Sequence, residues 1–296
     1  MSLPEPVSAY AGLPAAVRIV GTGLLGTSLG LALRRQGVQV ELADSSPAAL
    51  ALAVDLGAGL SSVDRALIGL VVVAAPPDVV ADVVAAELAA APGVTVTDLA
   101  SVKAGPLKSL QDRQIDLTRY VGGHPMAGRE RSGAVAARAD LFAGQPWVVC
   151  AHQDSSRVAV ATVRALALAV GSIPTELDAE AHDGAVALVS HVPQLMASLA
   201  AARLGDAPDA ALALSGQGLR DVTRIAASDP ELWTQILGAN AAAVSAVLQA
   251  VRGDLDRVVA ALDALAAETA QVPARGARAA VAGLVAQGNA GQHRIP

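Results

Sequence analysis

The hexapeptide Gly21-Thr22-Gly23-Leu24-Leu25-Gly26 constrains the fold more than any other stretch of this chain. It follows a short apolar run, Val17–Val20, and opens a helical pattern over Leu24–Gln36 that Gly37 ends as a C-cap. In a strand–turn–helix setting the three glycines do separate work. The first makes the tight turn, the second lets a pyrophosphate approach the backbone, and the third lets the helix pack on its sheet. The phosphates then lie on the helix N-terminus, where free N–H groups and the dipole favour anions. Asp44 ends the next predicted strand, Val38–Ala43. That is about the twenty-residue spacing expected of an acid that binds the adenosine ribose. Such a carboxylate repels a 2′-phosphate, so the pattern favours NAD over NADP. A plainer role for Asp44 is a turn cap before Ser45-Ser46, and those serines also leave room for a phosphate. The cofactor-facing candidates are Gly21, Gly23, Leu24, Leu25, Gly26, Asp44 and Pro76, with Ser101 beyond the fourth strand.

The pattern then alternates. Ser46-Pro47 reads as an N-cap with proline at N1, opening a helix through Leu56. Ile68–Ala75 is a continuous apolar run stopped by Pro76-Pro77, which suits a strand buried on both faces. Helices over Asp78–Ala91 and Ser156–Val170 separate strands at Val94–Asp98, Arg119–Val121, Trp147–Ala151 and Ile173–Leu177. This is an α/β, Rossmann-type, doubly wound sheet with parallel strands. After Asp178 the strand signal stops. Ala179–Leu204, Ala207–Ala227, Pro230–Leu265 and Ala277–Val285 read as helices, an all-α C-terminal domain. The predicted division is 15–178 and 179–287, with irregular ends at 1–14 and 288–296.

Composition narrows the function. Aromatics are 2% against 53% hydrophobic residues, so the core must be Ala, Leu and Val packing. The formal charge is −6 and there is no long basic run, which argues against nucleic acid. A single cysteine, Cys150, allows no internal disulfide and fits a reducing cytoplasm. Met1–Tyr10 lacks the basic and apolar regions of a signal peptide. Apolar runs such as Ile68–Ala75 are too short for a bilayer, so no membrane partner is expected. The His, Cys and Asp residues show no metal spacing, and there is no GxSxG elbow.

The reacting centre is expected around Gly122–Gly133, which puts His124 on a glycine-rich loop. Ligands of open α/β sheets bind beyond the carboxyl ends of the strands, so Ser101 and His124 should face one crevice. A serine hydroxyl within reach would fix the imidazole, and a neutral imidazole can accept a hydroxyl proton. The alternative is a loop histidine bonded to local backbone. Arg220 and Arg224 lie four apart, on one predicted helix face, as carboxylate forks or as solvated cations. His191, before Pro193, reads alone as a core or kink residue. His182 falls on the opposite helical face and has no assigned role. Lys103 either lies near the cofactor or begins a helix.

Taken together, Gly21–Gly30 (GTGLLGTSLG), Asp98–Lys103 (DLASVK), Gly122–Gly133 (GGHPMAGRERSG), Ser190–Pro193 (SHVP) and Leu219–Asp229 (LRDVTRIAASD) resemble the prephenate/arogenate dehydrogenases of tyrosine biosynthesis, in the family's order from about Arg18 to Ala267. The resemblance implies an NAD-binding Rossmann domain, a helical dimerisation domain and an active site between them. It implies oxidative decarboxylation of prephenate, or of arogenate, by a homodimer. By the same resemblance His124 is the catalytic histidine and Ser101 the serine that positions it. Arg224 binds a substrate carboxylate, His191 lines the substrate site, and Glu130 stands at the pocket mouth. Arg129 and Arg220 join them as substrate-binding candidates. Arg129 and Arg131 make that mouth more cationic than is usual, and Gln194 stands where many members carry a second histidine. No chorismate mutase segment precedes the sheet and little follows the helices, so any tyrosine feedback is expected at the active site.

Two other classes compete. A β-hydroxyacid dehydrogenase shares the layout but wants a catalytic lysine after the sheet, and no lysine occurs from Ala179 to Pro296. A non-catalytic NAD sensor would not need Ser101, His124 and Arg224 together.

Overall fold

The computed structural model describes residues 12–127, 133–269 and 274–295. The chain separates into two compact units, Met1–Ala241 and Ala242–Pro296.

The first unit is built on a seven-stranded sheet in the order β2-β1-β3-β4-β5-β6-β7. The strands are β1 (Ala16–Val20), β2 (Gln39–Ala43), β3 (Ile68–Val73), β4 (Thr95–Asp98), β5 (Tyr120–Pro125), β6 (Pro146–Cys150) and β7 (Ile173–Glu176). Neighbours from β2 to β5 are parallel. The predicted all-parallel sheet needs one correction, because β6 runs antiparallel to β5, with His124 opposite Val148. A parallel return requires a long crossover, usually a helix. Among the described residues only a 3₁₀ turn, Ala134–Ala136, lies between β5 and β6. A helix over Arg157–Ala169 restores parallel pairing between β6 and β7.

Strand residues alternate between two apolar layers. Val17, Ile19, Leu70 and Val72 pack with α1 (Leu24–Arg35), α2 (Pro47–Asp55) and α5 (Arg157–Ala169) through Leu29, Leu33, Ala53, Val163 and Leu166. Val71, Val73 and Val96 pack with α3 (Val80–Ala90) and α4 (Ala104–Asp112) through Val84, Leu88 and Leu110. Each wholly buried Val or Leu side chain contributes about 1.5–3 kcal/mol, so the sheet needs few aromatics. Ser46 caps α2 through Ala49 N–H with Pro47 at N1, and Gly37 ends α1 at φ +78°, as predicted.

The same unit continues into helices. The helix predicted over Ala179–Leu204 is α6 (Ala179–Val186), a π turn (Ala187–His191) and α7 (Val192–Ala202). Pro193 has no N–H and its ring crowds the preceding turn, which a wider turn accommodates. Ala179–Ala202 has a mean hydropathy of 1.5 and is long and apolar enough to span a bilayer by length and composition alone. Run length at the sequence level missed this. The helix nonetheless buries His182, Asp183, His191 and Gln194 inside the fold, as a domain helix does. The helix predicted over Ala207–Ala227 is two short pieces, α8 (Asp209–Leu212) and α9 (Gln217–Thr223), interrupted at Ser215-Gly216, then a 3₁₀ turn at Arg224–Ala226. Asp229 caps α10 (Pro230–Ala239), which stops at Asn240 instead of running on to Leu265.

The second unit holds nearly all of α11 (Ala241–Ala266) and α12 (Arg275–Gln292), the latter longer than the predicted Ala277–Val285. Glu268 ties the two together, pairing with Arg278 and accepting from Ala274 N–H at 3.0 Å. Leu255, Val259, Leu262 and Val285 are exposed on its surface.

Candidate active site

The carboxyl ends of β1 to β5 share one edge of the sheet. The fingerprint loop leaves β1 beside β3, where the strand order reverses, the usual place for a ligand crevice. Gly21 has φ +104°, and a Cβ there would come within 2.3 Å of the Ala74 carbonyl oxygen. A Cβ on Gly26 would come within 1.9 Å of the Gly21 carbonyl oxygen. Gly23 is different: it is exposed, and a Cβ there would meet nothing within 4 Å. No side chain caps α1 and no acid lies in its first turn, so the N–H groups of Leu24 and Leu25 remain available to an anion. This open step at a positive helix end fits a dinucleotide pyrophosphate. Pro76 is exposed on the neighbouring edge.

Asp44 caps the turn, the plainer of its two predicted roles. Oδ2 accepts from Thr22 N–H and Oγ1 at 2.7 and 2.8 Å, and Oδ1 accepts from Ser46 N–H at 2.8 Å. Partial burial pushes its carboxyl up, but the Ser46 and Thr22 hydrogen bonds outweigh this and hold the pKa below the usual value. The acid is therefore ionised, and it clamps the loop to the end of β2.

Further along the edge, the DLASVK and GGHP segments form one packed unit. Asp98 is wholly buried and accepts from Ala100 N–H at 2.8 Å, from Tyr120 Oη at 2.8 Å and from Lys103 Nζ. Lys103 also donates to the Gly123 carbonyl at 2.8 Å. Every oxygen of this buried pair is hydrogen-bonded, as burial of charge demands. A Cβ on Gly122 would lie 3.0 Å from Lys103 Cδ, and one on Gly123 would lie 2.7 Å from the Asp98 carbonyl oxygen. Those glycines let β5 lie close against the lysine and β4. They do not make a loop, and the expectation that His124 sits on one is corrected: His124 is within β5.

His124 Nδ1 is 2.8 Å from His182 Nε2, and His182 Nδ1 is 2.8 Å from Asp183 Oδ1. Asp183 also accepts from the N–H groups of Lys103 (2.8 Å) and Ala104 (2.9 Å), so it caps α4 from about eighty residues away. Burial raises its carboxyl, but the His182, Ala104 and Lys103 hydrogen bonds win and lower the pKa. An ionised carboxylate only accepts, so His182 carries a proton on Nδ1, and in the neutral ring its Nε2 is the acceptor. That nitrogen accepts from His124 Nδ1–H, which leaves His124 Nε2 bare. Burial, followed by the nearby His182, Lys103 and His191, pushes the His124 pKa well below its ordinary value. His124 is thus a neutral base, oriented by a histidine and a carboxylate, the relation that orients catalytic histidines generally.

Ser101, half-buried at the end of β4, was expected to orient His124; His182 makes that hydrogen bond instead. On a regular helix nine residues put His182 opposite His191. The π turn between them slows the angular advance, and both rings are buried. The adjacent His182-Asp183 pair was the signal available to sequence reading.

His191 Nδ1 lies 3.1 Å from Asn240 Nδ2, and the same Nδ2 lies 2.8 Å from the Asp183 carbonyl oxygen. Trp233 meets the His191 ring edge-on at 6.0 Å. Burial lowers the His191 pKa. Arg220 lies in α9, which ends at Thr223, and Arg224 opens the 3₁₀ turn that follows. Both are exposed, and Arg220 donates to the Ser215 carbonyl at 2.9 Å. Gln194 is buried, with its amide facing Ser228 at 3.5 Å. Arg129, Glu130 and Arg131 lie outside the described residues.

A family profile described as prephenate dehydrogenase, nucleotide-binding domain, matches residues 29–173. A second, described as prephenate dehydrogenase, dimerization domain, matches residues 178–271. Among curated proteins the chain is similar to the Streptomyces niveus protein named probable prephenate dehydrogenase NovF, 42% identical over 84% of this chain and 69% of that one. Among solved structures it resembles a prephenate dehydrogenase from A. aeolicus in complex with hydroxyphenyl propionate and NAD+ (TM-score 0.74, 28% identity, 86% of this chain and 92% of that one). It also resembles Synechocystis arogenate dehydrogenase (TM-score 0.69, 27% identity, 84% and 92%).

Proposed function

The chain belongs to the prephenate dehydrogenase family, and from that premise we propose that it oxidises and decarboxylates prephenate to 4-hydroxyphenylpyruvate as an NAD-dependent dehydrogenase. The observation that carries the mechanism is the Asp183–His182–His124 chain at the same sheet edge as the fingerprint loop.

Gly21, Gly23, Leu24, Leu25, Gly26, Asp44 and Pro76 would hold NAD+, which would supply the acceptor for a hydride from the ring carbon that bears the hydroxyl. His124 Nε2 takes the hydroxyl proton as the carbonyl develops. His182 and Asp183 share the positive charge that arrives on the imidazole. Ser101, just beyond β4, binds the same hydroxyl. Once the carbonyl has formed, the ring carboxylate leaves as CO₂ and the ring becomes aromatic. The electrons of the broken bond pass through the ring to its oxygen, which takes the proton back from His124 to give the phenol; beyond that the step asks the protein for positioning and anion binding. Arg224 supplies the anion binding through a guanidinium fork that cannot lose its charge, with His191 as a second partner. Arg129, Glu130 and Arg220 complete the substrate-binding set.

NADH formation by the purified protein on addition of prephenate tests this, and its absence with both prephenate and arogenate refutes it. The same assay ranks the two substrates, and repeating it with NADP checks that Asp44 selects NAD. The segment 15–178 is read as the cofactor half and 179–287 as the substrate and dimerisation half of a cytoplasmic homodimer. Sedimentation as a monomer alone would remove the dimer.

A further inference from the structure

We propose that Asp183 and Asn240 are positioning residues that hold the two site histidines in opposite tautomers, His124 with a bare Nε2 and His191 with a protonated one. This deepens the reading of His124 as the base and rests on it.

The Asp183 backbone carbonyl can only accept, so the Asn240 side-chain atom 2.8 Å from it is the amide nitrogen. That nitrogen carries two hydrogens. One goes to the carbonyl, and the other points to His191 Nδ1 at 3.1 Å. A ring nitrogen that receives a hydrogen bond is unprotonated, so the neutral His191 ring carries its proton on Nε2. On the other side, the Asp183 carboxylate fixes His182 Nδ1–H, and His182 Nε2 in turn receives His124 Nδ1–H. One residue thus sets both rings, through its carboxylate for His124 and its carbonyl for His191. The Asp183, His182, His191 and Asn240 side chains are all buried, so water does not compete for these hydrogen bonds.

Asn240 reaches inward because α10 stops there, at φ −118° and ψ 26°, where an unbroken helix was expected. The chemical result is a division of labour. His124 offers a lone pair to a substrate hydroxyl. His191 offers a neutral N–H to a substrate oxygen that only accepts, a carboxylate or keto oxygen, and does not compete for the proton that His124 must take.

The test is a long-range proton–nitrogen spectrum of the full chain labelled with ¹⁵N-histidine at neutral pH. Five histidines make the spectrum assignable, using His124→Gln and His191→Gln to identify their signals. The expected result is an Nδ1–H pattern for His124 and an Nε2–H pattern for His191. Asn240→Leu should mix the His191 tautomers and raise KM about tenfold, with a smaller change in kcat, as loss of one hydrogen-bond partner predicts. Asp183→Asn should disturb the His124 signals and lower kcat. An Nδ1–H or cationic His191 in the unmodified protein overturns the proposal, as do His191 signals unchanged in Asn240→Leu. Should that variant fail to fold, the unmodified spectrum decides alone. NADH formation is read separately, so failure of the tautomer assignment and failure of the dehydrogenase reading are distinguishable.

Discussion

The fingerprint loop and the histidine cluster lie at one edge of the same sheet, yet they are made of different material. The loop works through backbone: glycines without room for a methyl, free N–H groups, and an aspartate that grips Thr22 from 22 positions away. The cluster works through side chains whose partners are 49, 57, 58 and 80 positions apart. The loop therefore depends on shape and tolerates changes of side-chain chemistry. The cluster depends on which nitrogen carries each proton, and tolerates little else.

The largest expected effect strikes the cluster. His124→Asn should lower kcat by about 10²–10⁴-fold, the usual share of a general base, with NAD affinity unchanged. Turnover near normal would mean that the cluster is not the reacting centre. The loop responds to size instead. Gly26→Ala puts a methyl 1.9 Å from backbone oxygen, and should cost about 1–3 kcal/mol in chemical denaturation along with NAD binding. Gly23→Ala meets open space, so its stability should change by less than about 0.5 kcal/mol while NAD binding weakens. Equal stability losses at the two glycines would erase the distinction between turn and approach. Arg224→Ala should raise KM for prephenate about tenfold and leave kcat less affected; an unchanged KM would detach this residue from the carboxylate.

Acid should separate the two regions again. His124 has its folded pKa well below 6.5, so the acid limb of kcat/KM should fall below that value as protonation removes the base. A limb centred above 6.5 would contradict the buried, neutral ring. Asp183 titrates lower in the folded state than its ordinary 3.8, so its stabilisation is full above about pH 4. It should disappear as pH drops through the folded value, measured as acid unfolding that Asp183→Asn shows less of. The smallest effect concerns Cys150, whose buried thiol is pushed up to about 12 and should resist alkylation in the native protein.

The doubly wound sheet, the Ser46-Pro47 helix start, the Gly37 stop and the cofactor fingerprint were legible because each is decided within a few residues by turn sterics, capping or period-two burial. The reversal of β6 was missed because strand direction depends on the connection, which periodicity does not report. His182 was missed for a similar reason. A regular repeat sets it opposite His191, and a π turn before Pro193 changes that angle.

The amino-acid order alone thus determined the sheet, its cofactor loop and the identity of His124 as a base candidate, since local sterics and a bare imidazole pKa suffice for those. Tertiary structure decided what orients that base, why Gly122 and Gly123 precede it, and how Asn240 reaches His191. Those depend on hydrogen bonds between side chains far apart in the chain, whose geometry exists only once helices and strands have packed.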